Sequence, residues 1–417
     1  MTRAAVVTKT AVVIGGGIAG CSSAYALAKR GIQVTLIERN ADIAGEASGN
    51  PLGMLYPRLS GDDAGSQFAL AGYLHSLALY KTLQLDKTQF NNCGMLQLGF
   101  NVREMARIKK MSSQNHPPGI LKYVTKHEAR SIAGVEIEHD GLYFPNAAWA
   151  DPRQLCRRLT QHENITVIHA NKITDIVKTG ALFEVHGNDN SAIKADIVII
   201  ANANDAQQLC PSLPLNTQAV RGQVSLLDAT EASSKLKTIV CSDGYLSPAA
   251  YQQNAGFLHC LGATFSAEPI FAAKQCDLPI EDQDHQENLG KLNRISSQLY
   301  QELCGNIVGG RVSLRCTTPD YFPLAGQLLD ATKLKAAPPR PSASPQSLPW
   351  LAGLYMNVAH GSKGFTTAPL CAEILACSIC NAPLPISAEL ASLLNPNRFL
   401  LREMGLKRLA KMTATSP

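Results

Sequence analysis

Apolar residues run without interruption through Ala11-Val12-Val13-Ile14, stop at three consecutive glycines, Gly15 to Gly17, and resume in the small-residue segment beginning Ile18-Ala19-Gly20. This pattern reads as a buried strand, a tight turn and a helix. A second strand is predicted over Gln33-Val34-Thr35-Leu36-Ile37, ending at Glu38. Residues 44–58 are rich in small residues and turn formers and read as a loop passing close to something. Phe68, Leu70, Ala71, Leu74, Leu77 and Leu79 recur at helical spacing, so residues 67–85 read as an amphipathic helix, with His75 packed or facing solvent. A strand over 94–99, a charged helix around 102–111 and a turn at 116–119 follow. Next come a strand at 141–145 and a helix for which Asp151 is the N-cap and Pro152 the first residue.

Strands are expected at 165–169, 173–177 and 182–186. The continuous β-branched run 195–203 suits a strand buried on both faces of a parallel sheet. Between 219 and 312 the pattern changes to short strand-like pieces at 223–227, 244–246 and 257–260, with one long polar helix over 282–303. That combination predicts an antiparallel sheet with a helix, a different class from the beginning of the chain. Residues 336–349 are Pro- and Ser-rich and read as a mobile surface loop. The buried-strand pattern returns at 351–358, and Gly361-Ser362-Lys363-Gly364-Phe365 opens a helix reaching about Cys380. The fold class is therefore α/β: a Rossmann-like nucleotide-binding domain assembled from 1–62, 145–218 and 349–417. An α+β domain is inserted twice, at 63–144 and 219–335, and 336–348 forms the loop.

Composition narrows the class without changing this outline. The chain has 417 residues, 45% apolar and 17% charged, which fits a globular protein and excludes a disordered or fibrous one. A formal net charge of +5 permits an RNA partner without implying one. The twelve cysteines are scattered and read as reduced packing residues. Cys377 and Cys380 form a C-x-x-C in an apolar helix beside Cys371, with no second pair at zinc spacing, so no metal is expected. Arg3 and Lys9 ahead of an apolar run ending Ala26-Leu27-Ala28 imitate a secretory signal, but the triple glycine inside that run argues against one. No transmembrane span is expected, and the cytoplasm is the default compartment.

The glycines carry the first chemistry. Gly15 permits the sharp turn, Gly17 lets the backbone approach a pyrophosphate, and Gly20 lets the helix pack closely on the strand. A phosphate there meets backbone N–H groups at the positive end of a helix dipole. Glu38 stands at the spacing of a carboxylate that holds an adenosine ribose. The small residues Ala201, Asn202 and Ala203 end a third strand where a cofactor can lie.

These elements, in this order, resemble the FAD-dependent amine oxidases related to D-amino-acid and glycine oxidase. The late loop at Gly361 to Phe365 favours FAD over NAD, since in that family it closes over the flavin ring. Within the family, several strings resemble the C-terminal oxidoreductase domain of bifunctional proteins that build 5-methylaminomethyl-2-thiouridine on tRNA. They are Ala47-Ser48-Gly49-Asn50-Pro51-Leu52-Gly53-Met54-Leu55-Tyr56-Pro57, Arg221-Gly222-Gln223-Val224-Ser225, Gly244-Tyr245-Leu246-Ser247-Pro248, Arg315-Cys316-Thr317-Thr318-Pro319-Asp320-Tyr321-Phe322-Pro323-Leu324-Ala325-Gly326, residues 361–369, and Leu394-Asn395-Pro396-Asn397-Arg398. Those proteins carry a methyltransferase domain ahead of this one. Whether the present chain stands alone beside a separate methyltransferase or is a piece of such a protein stays open.

The resemblance implies a tRNA substrate whose wobble uridine bears a carboxymethylaminomethyl group, oxidised so that glyoxylate leaves. No protein nucleophile or metal is needed, and an anion clamp is expected instead. Arg315 is the candidate carboxylate ligand, with pairing to Asp320 as its structural alternative. Tyr245 is the substrate-side tyrosine or else a core residue. Arg58 and Lys363 are cations beside the flavin or solvated charges. The implied cofactor-binding set is Gly15, Gly17, Ile18, Ala19, Gly20, Glu38, Arg39, Ser48, Gly49, Asn50, Gly53, Ile173, Ala201, Asn202, Ala203, Arg315, Gly361, Ser362, Lys363, Gly364 and Phe365. His360 reads as packed rather than as a proton shuttle, and Arg221 as support for structure or the substrate channel. Arg398, Arg402, Lys407, Arg408 and Lys411 form a basic C-terminal helix that meets phosphates or solvent. Two other functions compete: oxidation of a free amine such as glycine or sarcosine, and RNA binding without catalysis.

Overall fold

A computed structural model describes residues 9–253, 256–268 and 278–413, and Arg3 of the signal-like segment lies outside them. The chain divides into two compact units. The first comprises Met1–Gly49, Cys156–Ala219 and Arg315–Pro417, the second Asn50–Leu155 and Val220–Leu314. Residues 50–62 and 145–155 thus belong with the second unit, and 315–335 with the first, where the sequence pattern assigns them the other way.

The first unit is built on a six-stranded sheet in the order Leu324–Leu329, Trp350–Val358, Ile197–Ile200, Thr10–Ile14, Gln33–Ile37, Ile165–Ile168. All neighbours are parallel except the first pair. Ile197 to Ile200 are each at most 4% exposed, because sheet neighbours and packed side chains cover both faces. Helix Ile18–Ala28 lies against helix Gly364–Ile379, and Asn357 Nδ2 ties the strand preceding the latter to Ser23 Oγ at 3.0 Å.

The apolar run at 195–203 is not one strand. Asp196 interrupts it, accepting hydrogen bonds from the N–H and hydroxyl of Thr10, both at 2.8 Å. Ala192–Ala195 before it turns away into a separate antiparallel sheet with Ile173–Thr179 and Leu182–Gly187. Residues 336–348 form a surface loop, but a tied one. Arg408 donates to the carbonyls of Pro341 and Ala343, and Trp350 Nε1 donates to Pro345 O at 2.8 Å.

The second unit centres on a large, mostly antiparallel sheet in which Ile239–Cys241 pairs in parallel with Met95–Leu98. A small sheet of Gly53–Leu55, Ala148–Ala150 and Phe90–Asn91 accompanies it. Helix Ala64–Thr82 begins earlier than apolar spacing suggests, because the Asp63 side chain caps it by accepting from Ser66 N at 2.8 Å. Asp151 accepts from the N–H groups of Arg153 and Gln154, as its N-cap reading requires. The long polar helix is two helices, Asp282–Ile295 and Ser297–Leu303. Ser296 is extended between them and caps the second through its hydroxyl. Among the described residues no helix is long and apolar enough to cross a membrane.

Candidate functional site

The turn after Thr10–Ile14 is shaped so that only glycine fits at its bends. Gly15 has φ +107°, and a Cβ there would lie 2.7 Å from Ala201 O. A Cβ on Gly20 would lie 1.8 Å from Gly15 O, so the helix sits directly on the turn. Gly17 precedes the helix with no side chain of its own to cap it, the Ser48 hydroxyl takes the N–H of Ile18, and no acidic residue occupies the first turn. The positive end of the helix dipole therefore lies at the glycine loop.

Glu38 is 6% exposed at the end of the neighbouring strand. Its Oε2 accepts from Gly16 N at 2.6 Å, while Oε1 accepts from Asn40 N at 2.8 Å and Asn40 Nδ2 at 2.7 Å. The carboxylate expected on a ribose thus also braces the glycine turn, with one of about four acceptor sites, on Oε2, remaining for a hydroxyl donor. Ser48, expected to touch the cofactor, accepts from Ile18 N at 2.9 Å through its hydroxyl. Arg39 ion-pairs with Glu46 and Asp205. Ile173 is 5% exposed and belongs to the apolar core, whereas Ala201, Asn202 and Ala203 follow the central strand directly. Asn202 Oδ1 is buried without a hydrogen-bond partner.

The late glycine loop converges on the same place. Gly361 has φ +58° and donates its N–H to Cys316 O at 2.7 Å, which fastens the loop to the strand carrying Arg315. A Cβ on Gly364 would come within 3.1 Å of Ile18 Cγ2, at the first turn of the dinucleotide-type helix. Ser362 and Lys363 are exposed, and Arg315, Gly364 and Phe365 are half-buried. Burial lowers the His360 imidazole to about 3; its Nδ1 lies 2.9 Å from Thr367 Oγ1 and its Nε2 3.0 Å from Asn357 Oδ1. It is a neutral packed group, as the sequence suggests. A cradle that side chains would fill, an orphaned buried amide oxygen and a positive helix end together fit the adenosine-diphosphate part of FAD, which Gly15 to Gly20, Glu38 and Asn202 would hold.

In the second unit Tyr245 and Tyr56 lie beside two buried thiols, Cys260 and Cys241. Tyr245 is half-buried, with its hydroxyl 3.6 Å from Cys260 Sγ, and it is paired in register with Cys241. Burial pushes the thiol of Cys260 up to about 11 and that of Cys241 up to about 12, so both are inert at neutral pH. Tyr56, which sequence reasoning passes over as a site residue, lies beside Cys241, and burial pushes its phenol up to about 12 against the nearby cations Arg58 and Arg107. Arg58 is itself exposed. Arg311 is also missed, and its Nη1 donates to Asn50 Oδ1 at 2.9 Å. The only sequence signal for it is a cation within a strand pattern that includes Arg315. Gly49 is buried at the end of the first unit's opening segment, while Gly53 lies in the small sheet opposite Ala150.

Two expectations change. Asp320 is not the partner of Arg315: it takes two hydrogen bonds from Arg398, at 2.7 and 2.9 Å, and a third from Arg402 at 3.3 Å. The basic C-terminal segment is not one helix and not one solvated face. Arg398–Glu403 is a helix in which Arg398 is 0% exposed, and Arg408 is committed to loop carbonyls. Arg221 is buried and held by Asp284, Gln223 and Pro279 O, which makes it a structural group of the second unit. Among the described residues no three His, Cys, Asp or Glu stand together as a metal site, and Cys377 bonds instead to Arg30 and Glu373.

The chain is 44% identical over 98% of its length to the tRNA 5-methylaminomethyl-2-thiouridine biosynthesis bifunctional protein MnmC of Methylobacillus flagellatus, covering 62% of that protein. It is 38% identical over 95% of its length to the protein of the same name from Stutzerimonas stutzeri, covering 60% of it. The chain thus spans about three fifths of the length of these curated relatives. Among solved structures it is similar to glycine oxidase from Geobacillus kaustophilus, with TM-score 0.74, 18% identity and coverage of 94% of this chain and 99% of that one. It is also similar to L-proline dehydrogenase from P. horikoshii, with TM-score 0.73, 20% identity and coverage of 95% and 98%. Both likenesses show a shared fold. The model of the DAO family, FAD dependent oxidoreductase, matches residues 10–378, and the chain belongs to that family.

Proposed function

We propose that the chain is the oxidoreductase of tRNA wobble-uridine modification that removes the carboxymethyl group of 5-carboxymethylaminomethyl-2-thiouridine, leaving 5-aminomethyl-2-thiouridine. The observation that carries this reading is the 44% identity, maintained over 98% of the chain, to a protein named for biosynthesis of 5-methylaminomethyl-2-thiouridine on tRNA. FAD, when bound, supplies the acceptor for two electrons and a hydrogen. The methylene between nitrogen and carboxylate loses a hydride and the amine loses a proton, so a C=N bond forms. Water adds to that carbon, the C–N bond breaks, and glyoxylate and a primary amine result.

The residues contribute binding and orientation. Arg315 holds the carboxylate through its guanidinium fork, the geometry best matched to that anion. Tyr245 borders the substrate, and Arg58 and Lys363 add positive charge where negative charge develops. The glycine turn, Glu38 and the Gly361 loop hold the dinucleotide. The setting is the cytoplasm, and a methyltransferase domain or separate enzyme takes up the aminomethyl product.

The test incubates purified, flavin-loaded protein with tRNA bearing the carboxymethylaminomethyl group and follows the nucleosides by mass spectrometry. Conversion to the aminomethyl nucleoside with glyoxylate release supports the reading. Persistence of the nucleoside while glycine or sarcosine is oxidised replaces it with the free-amine reading. Arg315→Ala should raise KM about 10- to 100-fold, the loss expected for one charge-assisted hydrogen-bond pair, with FAD content unchanged.

A further inference from the structure

The turn that follows the Arg315 strand is braced far beyond what a surface turn needs. Thr318 Oγ1 donates to Phe322 O at 2.7 Å, and Tyr321 N donates to Thr318 O at 3.1 Å. From inside, Arg398 bonds both Asp320 oxygens and donates to Phe322 O at 2.8 Å and Pro323 O at 3.1 Å. At the apex of this braced turn stands Tyr321, 70% exposed and with φ +60°. A bulky residue in the left-handed region is a genuine outlier that glycine would occupy without strain. Burial does not explain the side chain, because its ring is in solvent.

We propose that Tyr321 is a stacking platform for a nucleobase of the tRNA anticodon loop, an inference that rests on the tRNA reading above. The same strand that leads into the turn carries Arg315 and is fastened at Cys316 to the Gly361 loop. The ring therefore stands a few residues beyond the group assigned to the substrate carboxylate. Its surroundings suit a base rather than a protein. Among the described residues of this unit, the only other exposed large apolar side chain is Val177, so there is no contiguous apolar patch of the kind a protein partner covers. The residue before it in the chain, Asp320, is paired instead with Arg402, whose side chain is 44% exposed. Single-stranded loops present splayed bases whose flat faces stack on aromatic rings regardless of sequence. A rigid turn fixes the ring in advance, so little freedom remains to be lost on binding.

The experiment measures the dissociation constant of an anticodon stem-loop RNA by fluorescence anisotropy, with flavin absorbance and thermal stability recorded for each variant. Tyr321→Gly relieves the left-handed strain, so it should fold at least as well as the parent and keep its FAD. Its RNA affinity should fall about 5- to 100-fold, as for loss of one base–aromatic stack. Tyr321→Trp should bind as tightly as the parent or more so. Equal RNA binding by the parent and Tyr321→Gly overturns the platform while leaving the tRNA reading standing. Failure of the parent itself to bind the RNA, with free amines still oxidised, overturns the tRNA reading and the platform with it.

Discussion

Glu38 Oε2 accepts the backbone N–H of Gly16 at 2.6 Å, so the acid at the end of the second strand holds the glycine turn that leads out of the first. The other oxygen is engaged by Asn40, and all three donors need an anionic, acceptor-only group. Glu38→Gln places an amide N–H against one of these donors. FAD affinity, followed by the fluorescence of released flavin on dilution, should fall about 10- to 100-fold, the value of one or two charge-assisted hydrogen bonds. An unchanged dissociation constant would remove Glu38 from the cradle.

Two glycines of the same region should respond in opposite ways. Gly20→Ala must place a methyl 1.8 Å from Gly15 O, a backbone atom that cannot move without opening the turn, and the variant should lack the yellow flavin spectrum. Gly31 has φ +77° with nothing within 4 Å of where a methyl would stand, so Gly31→Ala should keep its flavin and lose only about 1 kcal/mol of stability. Absorbance of the two purified proteins decides; a yellow Gly20→Ala contradicts the close approach.

His360 makes stability depend on pH. Burial lowers its folded value to about 3. The unfolded chain therefore takes up a proton near the ordinary imidazole value of about 6.5 that the folded chain refuses. The group costs nothing above that pH. As pH falls from about 6.5 towards 3, it removes about 1.4 kcal/mol of stability per unit. Denaturant unfolding at pH 5 and pH 6 should give a steeper loss for the parent than for His360→Gln, and parallel slopes would show that the imidazole is not buried neutral.

Asp320 and Arg398 are coupled through burial. Burial alone would raise the Asp320 carboxyl, but the hydrogen bonds and charge of Arg398 overcome this and hold it below the usual carboxylate range. The pair's stabilisation is present above about pH 4 and is lost as pH falls through the depressed folded value. Asp320→Ala leaves a 1%-exposed guanidinium side chain uncompensated and should cost about 3–5 kcal/mol. A melting temperature within a degree or two of the parent's would contradict this.

The elements that sequence alone makes legible are those whose signal is local. The glycine turn, the strand ending at Glu38 and the Asp151 cap each depend on residues within one turn or strand. What escapes depends on partners distant in the chain. Asp320 lies five residues from Arg315, yet it pairs with Arg398, 78 positions away. The C-terminal basic residues look like one charged face until burial separates Arg398 from Arg402. Apolar continuity at 195–203 conceals Asp196, whose partner is Thr10 on the first strand. Tyr56 lies within the Ala47-to-Pro57 string without a role being legible for it, Arg311 carries no motif, and only the fold brings them beside Cys241 and Asn50.

The strand order of the first unit also bears on how the protein is made. Thr10–Ile14 and Ile197–Ile200 are adjacent in the sheet, but the strand beyond them, Trp350–Val358, and the helix Gly364–Ile379 that packs on Ile18–Ala28, come more than a hundred residues later. During translation the N-terminal strands must therefore wait for the late segment with one parallel edge of the sheet open. The nascent chain is most exposed to misassociation in that interval. If the Gly361 loop holds FAD as proposed, the cofactor can bind fully only after that loop has left the ribosome.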